Sequence, residues 1–358
     1  MNTAADGYLA WAIRSTPTCW WHDSADPREL EAGLERGAVG VTTNPFLTHA
    51  ALAANRHVWA DEIARAIGCA DGAEARAEAL MRIVVSHAAG RLLACHQATG
   101  GRQGWVCGQV NPARAGDRAA MLAMARRYST WAPNIAVKLP ATAAGLDVLE
   151  ECVAEGITCT ATVSFTVAQV LAAAARHRRG CQRARAAGRQ PGRCFAVLMV
   201  GRLDDYLRDV ALDARAPVEA SDINMAGIAV AKRAAALLRQ GGYEAELIIA
   251  ALRGTYHMTE LAGGRLIMSI APAYQGPLMS DSLPRVPRFE EPVPQGVIAR
   301  LTSLEEFVKA WEPDGLGPEQ FIAYALTQKT LAQFAEAGWR LLETFAPQDL
   351  SAARHRAG

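Results

Sequence analysis

Along the chain, short runs of apolar, β-branched or aromatic residues recur between longer stretches whose apolar positions follow helical spacing, the pattern of βαβ units and a parallel sheet. The runs predict strands at 18–23, 38–42, 104–110, 134–138, 158–163, 195–200, 246–250 and 265–270. Between them, DPRELEAGLERGA, DRAAMLAMARRYSTW, AAGLDVLEECVAEG and NMAGIAVAKRAAALLRQGG read as amphipathic helices. This alternation predicts an α/β protein built as a closed (β/α)8 TIM barrel with additional C-terminal helices. An open doubly wound sheet is the alternative, but no G-x-G-x-x-G follows an early strand to support a dinucleotide site.

Two stretches read as additions to a minimal barrel. Residues 176–194, RHRRGCQRARAAGRQPGRC, are arginine-rich and end in Gly and Pro, which predicts a helix extension running into an exposed loop. Residues 317–345 predict one long amphipathic helix that packs through Phe321, Leu326, Leu331, Phe334 and Trp339. The proline-rich stretch PLMSDSLPRVPRFEEPVPQGV before it is expected to be ordered only by docking. The chain is thus expected to be one domain, 1–358, with a barrel core at 15–275 and a connector and helical extension at 276–358.

The 358 residues are 51% hydrophobic, enough for one large core, and the formal net charge of +1 with 20% charged residues does not point to nucleic acid, membrane or polyanions. A small-molecule partner is the expectation. The arginine cluster lacks interleaved aromatics for base stacking, so no nucleic-acid role is assigned to it. The eight cysteines show no C-x-x-C and no zinc-site spacing, which fits reduced thiols in a cytoplasmic protein. MNTAADGYLAWAIRST lacks the basic start and apolar core of a leader, and no stretch approaches about 18 apolar residues. Oligomeric state is not legible, and a homo-oligomer is left open.

In such a barrel the carboxyl ends of the strands converge on one mouth. The predicted strands bring there Asp23, Thr43 and Asn44, Gln109, Lys138, then Thr160, Thr162 and Ser164, then Met199 and Arg202, and finally Arg253. Lysine is rare in this arginine-rich chain: Lys232, Lys309 and Lys329 fall in helical stretches, whereas Lys138 sits between Ile135-Ala136-Val137 and Leu139-Pro140 in an apolar strand. Desolvation there disfavours the ammonium and makes the amine a nucleophile toward ketones. Taken singly, each residue has a plainer reading. Lys138 can snorkel or pair with Asp23, Asp23 can cap the next helix, Gln109 and Thr162 can be ordinary lining, and each arginine can be a surface ion pair.

Their order along the chain is more specific, because it resembles the transaldolase family, which includes the fructose-6-phosphate aldolases. GAVGVTTNPFL resembles the family's G-V-T-T-N-P signature, about twenty residues after the aspartate of HDSAD. NIAVKLPATAAGLDVLEECVAEGITCTATVSFTVAQ resembles the Schiff-base region, VGRLDD the V-G-R-I-x-D segment, and AALRG the A-S-F-R-N segment, a likeness running from about residue 18 to about 275. The resemblance implies Lys138 as Schiff-base lysine, Asp23 as general acid/base and Thr162 as partner of the catalytic water. It implies Asn44 as ligand of donor hydroxyls, Arg202 and Arg253 as ligands of a substrate phosphate, and chemistry that needs neither a metal nor an organic cofactor. Thr43, Thr160, Ser164 and Met199 are expected to line the substrate site.

Several positions depart from the family pattern. Gln109 stands where classical transaldolases carry glutamate, as in the aldolase branch, and an amide accepts no proton. Met199 replaces an aromatic, Ala251 a serine, and Thr160 an asparagine found in many relatives. The resemblance implies, as the expected activity, transfer of a dihydroxyacetone-type unit between sugar phosphates. The alternatives are an aldolase that cleaves without an acceptor, on fructose 6-phosphate or an unusual or sulfonated ketose, and a non-catalytic sugar-phosphate-binding barrel.

Overall fold

A computed structural model describes residues 7–346. Eight parallel strands close into one barrel in chain order: β1 (Cys19–His22), β2 (Gly40–Val41), β3 (Trp105–Gln109), β4 (Ile135–Pro140), β5 (Cys159–Thr162), β6 (Cys194–Met199), β7 (Glu246–Ala250) and β8 (Ile267–Ile270). Closure is by β1 against β8, with Cys19 opposite Ile267 and His22 opposite Ile270. All eight predicted strands are present. The strand carrying Lys138 runs two residues further than predicted, because its pairing with β5 continues to Pro140 opposite Thr162. Lys138 is therefore inside the strand rather than at its end.

Alternate residues of each strand point into the barrel, and large side chains plug its lower half. The Trp21 indole meets the Phe195 ring edge-on at 4.7 Å, and Trp105 lies 6.3 Å from the same ring. Gly40 makes the room, since a Cβ there would come within 2.5 Å of the Trp21 indole. With the bottom filled by aromatics, polar inward positions are left only near the mouth.

The predicted helices appear as Pro27–Glu35, Arg118–Tyr128, Ala143–Ala154 and Ala226–Gln240. The arginine-rich segment continues helix Val167–Ala186, and its cations lie against acids of the preceding helix: Arg179 reaches Glu150 at 2.8 Å and Arg183 reaches Glu151 at 2.9 Å. Between β2 and β3, where no element was assigned from the pattern, the chain forms three helices, the longest at Ala73–Ala98.

The predicted helix at 317–345 is present over Ala325–Glu343, continuous through one π turn, but its first eight residues are not part of it. A 3-10 turn at Pro318–Gln320 precedes helix Ala325–Phe334, a π turn at Ala335–Trp339 and a last short helix, Arg340–Glu343. Tyr324 is extended (ψ 127°) as its ring enters the core. At Gly338 the chain presses on the start of helix Pro45–Ala54, where a Cβ would come within 2.5 Å of the Phe46 nitrogen. Lys232 lies in helix Ala226–Gln240 as expected, but its ammonium is half-buried and donates to the carbonyls of Arg288 (2.9 Å) and Glu291 (2.6 Å), fastening the proline-rich connector. Residues 347–358 of the predicted extension lie outside the described residues. Among the described residues no helix is long and apolar enough to cross a membrane.

Candidate active site

Lys138 enters the mouth from the middle of β4, flanked across the sheet by Gln109 on β3 and Thr160 on β5. It is 6% exposed, and its Nζ donates to the Thr43 carbonyl at 3.0 Å. One acceptor for a group with up to three donors leaves the ammonium poorly satisfied. Burial pulls its pKa down, with Arg202 acting in the same direction, while Cys107 and Asp23 oppose. Thr43 is itself fixed by its hydroxyl, which donates to the Cys107 carbonyl at 2.7 Å.

Asp23 follows β1 and is not the cap of the next helix. That task falls to Asp26, whose carboxylate accepts from the backbone N–H groups of Arg28 and Glu29. Asp23 is left to face the mouth, where its Oδ1 accepts from the Thr42 hydroxyl at 2.6 Å. The Thr42 oxygen also lies 2.6 Å from the Ser269 hydroxyl. With Asp23 ionised, Thr42 donates to it and Ser269 donates to Thr42, which makes a relay Ser269→Thr42→Asp23. Burial raises the Asp23 pKa, and the Thr42 bond, the Lys138 charge and Ser269 oppose it. Neither hydroxyl was singled out from the sequence; the T-T-N-P motif contains Thr42, but nothing local marks Ser269.

The remaining candidates divide into satisfied and unsatisfied groups. Gln109 (2% exposed) and Thr162 (0%) have Oε1 and Oγ1 buried without a partner, beside the lysine strand. Thr160 Oγ1 lies 3.5 Å from the Cys107 thiol. Ser164 donates its hydroxyl to the Val197 carbonyl at 2.5 Å and so stitches the end of β5 to β6. Asn44 caps helix Pro45–Ala54, its Oδ1 accepting from Leu47 N–H at 2.9 Å, which leaves its amide NH2 for other work. Met199 is 6% exposed and ends β6. Val163 and Ala251, directly after β5 and β7, hold left-handed backbone at φ 53° and 58°, which is unfavourable for non-glycine residues.

Arg202 lies in the first turn of helix Val200–Ala214, and Arg253 in the loop after β7. Burial lowers the Arg202 pKa and the charge of nearby Arg253 adds to it, so the two cations share one region. Arg253 Nε donates to Asp205 at 2.8 Å. Behind it stands a network not anticipated from the sequence. The Arg253 backbone N–H donates to His257 Nδ1 at 3.1 Å, and His257 Nε2 lies 2.9 Å from buried Asp204, which also accepts from Gly227 N–H at 2.8 Å. His257 thus carries its proton on Nε2 and ties the Arg253 loop to the helix bearing Arg202. Among the described residues no group of three or more His, Cys, Asp or Glu side chains forms a metal-binding cluster.

The mouth thus holds a desolvated lysine, a relay-supported carboxylate, unpartnered amide and hydroxyl groups, and two cations on one side. This chain is similar to the transaldolase of Neisseria meningitidis serogroup A, 34% identical over 183 residues that make up 50% of this chain and 52% of that protein. It is also similar to transaldolase 1 of Streptomyces coelicolor, 33% identical over 189 residues (47% of this chain, 46% of that protein). A probable transaldolase of Dehalococcoides mccartyi is 28% identical over 241 residues (67% and 80%). The chain spans about half the length of the first two relatives it matches. The family described as Transaldolase/Fructose-6-phosphate aldolase matches residues 20–344, nearly all of the described chain, and the protein belongs to that family.

Proposed function

We propose that this chain is a transaldolase-type enzyme of the cytoplasm that moves a dihydroxyacetone-type unit between sugar phosphates through a Schiff base on Lys138. The observation that carries the reading is the depressed basicity of a buried lysine facing a carboxylate inside the mouth of a barrel of this family. The neutral amine adds to the ketose carbonyl, and the carbinolamine loses water to give an iminium. Asp23 then takes the proton of the hydroxyl on the far side of the scissile C–C bond. That bond's electron pair flows into the iminium to give an enamine, and the aldehyde fragment leaves. Attack of the enamine carbon on an acceptor aldehyde, with the proton returned by Asp23, reverses the step, and hydrolysis frees the lysine.

Gln109 and Thr162, with unpartnered polar atoms, suit the water that enters and leaves at the carbinolamine. The free NH2 of Asn44 suits a donor hydroxyl, Thr43, Thr160, Ser164 and Met199 line the site, and Arg202 and Arg253 take the phosphate. A second reading, an aldolase that protonates the enamine instead of passing it on, is favoured by Gln109, since an amide cannot accept the proton a glutamate would. The test is borohydride reduction with a panel of ketoses and ketose phosphates, read by intact mass and peptide mapping. A reduced three-carbon adduct on Lys138, absent in Lys138→Arg, is expected. A folded protein that gains no mass there with any donor refutes the Schiff base and leaves a binding barrel. Product formed without an acceptor aldehyde identifies the aldolase.

A further inference from the structure

Helix Ala325–Phe334 buries Leu326, Thr327, Thr330, Leu331 and Phe334 against the mouth side of the barrel. Near its end, the Gln333 side-chain carbonyl accepts from Arg202 Nη1 at 2.6 Å, and the Phe334 ring lies 5.2 Å from the same guanidinium. Just before its start, the Tyr324 ring stands 6.5 Å from Phe165, in the loop after β5, and edge-on to Tyr206 at 6.0 Å. The helix therefore reaches from the loop after β5 to Arg202. Tyr324, Thr327, Thr330 and Phe334 follow one another at three- or four-residue spacing and form one stripe along its buried face.

Two features of that stripe need an explanation. First, the hydroxyls of Tyr324, Thr327 and Thr330 are all buried without a hydrogen-bond partner, an arrangement that destabilises a core but suits a site waiting for a polar ligand. Second, the hydrogen-bond partner of Arg202 is a neutral amide, whereas its clamp neighbour Arg253 meets the Asp205 carboxylate. A neutral partner orients a guanidinium without cancelling its charge, so its attraction for an anion survives.

Building on the reading of Arg202 and Arg253 as the anion clamp, we propose that helix Ala325–Phe334 roofs the substrate site and completes that clamp. Thr330, one turn from Phe334, donates its hydroxyl to the tetrahedral oxyanion at the substrate's end. Gln333 is a positioning residue that holds Arg202 toward the same anion.

Calorimetric titration of the full chain with inorganic phosphate tests this without relying on turnover. Thr330→Val is expected to weaken phosphate binding by about tenfold, the loss of one hydrogen bond to a charged group. The same variant should melt at a higher temperature in phosphate-free buffer, because an isosteric apolar group replaces an unpartnered hydroxyl. Gln333→Glu keeps the acceptor for Arg202 but cancels its charge, so phosphate binding should fall by more than Thr330→Val costs, with the fold retained. Lys329→Ala, on the exposed side where the lysine lies 3.3 Å from Asp209, should bind phosphate as the parent does. Parent-like phosphate affinity in both Thr330→Val and Gln333→Glu, or no phosphate binding by the parent at millimolar concentration, overturns the proposal. A Lys138 adduct alongside unchanged phosphate affinities would sink the roof and spare the Schiff base; weakened affinities without an adduct would do the reverse.

Discussion

His22, outward-facing on β1 beside Asp23, makes the barrel's closure sensitive to pH. Its Nδ1 accepts from Gln275 Nε2 at 2.9 Å, and Gln275 in turn donates to the Ile270 carbonyl at 3.1 Å and accepts from Arg36 at 3.0 Å. The imidazole is fully buried, and its pKa falls from 6.5 to about 4, chiefly by burial and then by Arg36, with Asp26 opposing. A histidine with a depressed native pKa is protonated first in the unfolded chain. The unfolded state therefore binds more protons between the two values, and stability falls as pH drops from 6.5 toward 4. At roughly 1.4 kcal/mol per pKa unit, the loss assigned to His22 is about 3 kcal/mol. Physically, the protonated ring and the Gln275 NH2 would both be donors, and the link between β1 and the end of β8 would open. Urea unfolding at a series of pH values, in the parent and in His22→Gln, isolates this share, because the other groups titrate in both proteins. The glutamine can still accept from Gln275, so the variant should fold. The parent should lose about 3 kcal/mol more than the variant across this window; parallel curves would refute the assignment.

Lys138→Met should abolish adduct formation and turnover while raising stability by about 1–3 kcal/mol in urea unfolding, since a buried amine with one acceptor gives way to an apolar chain of similar length; a destabilised variant would show the amine to be structural. Ser269→Ala removes the first donor of the relay to Asp23, so the Asp23 pKa should rise. The acid limb of the kcat/KM profile should move to higher pH, with Ser269→Thr restoring it; an unmoved limb in Ser269→Ala would exclude the relay.

Much of the site was legible because its residues are tied to local sequence. Lys138 stands out as a rare lysine in an apolar strand, and the T-T-N-P run places Thr42, Thr43 and Asn44 together whatever the rest of the chain does. Helix Ala73–Ala98 was missed: Ala77, Leu80, Met81, Val84, Val85, Ala88, Ala89 and Leu92 recur at helical spacing, but its N-cap is Gly72, so no side-chain cap announces its start. Asp23 shows the limit of local reading: D-x-x-D-P offers two aspartates as caps, and only the register of β1 against β8 turns one into the mouth and leaves Asp26 for the helix.

The pattern of apolar runs and amphipathic stretches by itself determined eight strands with helical stretches among them, and hence a barrel, because strand and helix periods are properties of neighbouring residues. Tertiary structure alone decided what meets across long separations: Ser269 with Thr42, Gln333 with Arg202, and His257 with the Arg253 loop. It also set the C-terminal helix against the start of helix Pro45–Ala54, where the close approach of Gly338 to Phe46 joins segments far apart in the chain and no local propensity encodes it. Burial decides the rest, for the basicity of Lys138 and the acidity of Asp23 depend on solvent being excluded by the whole fold.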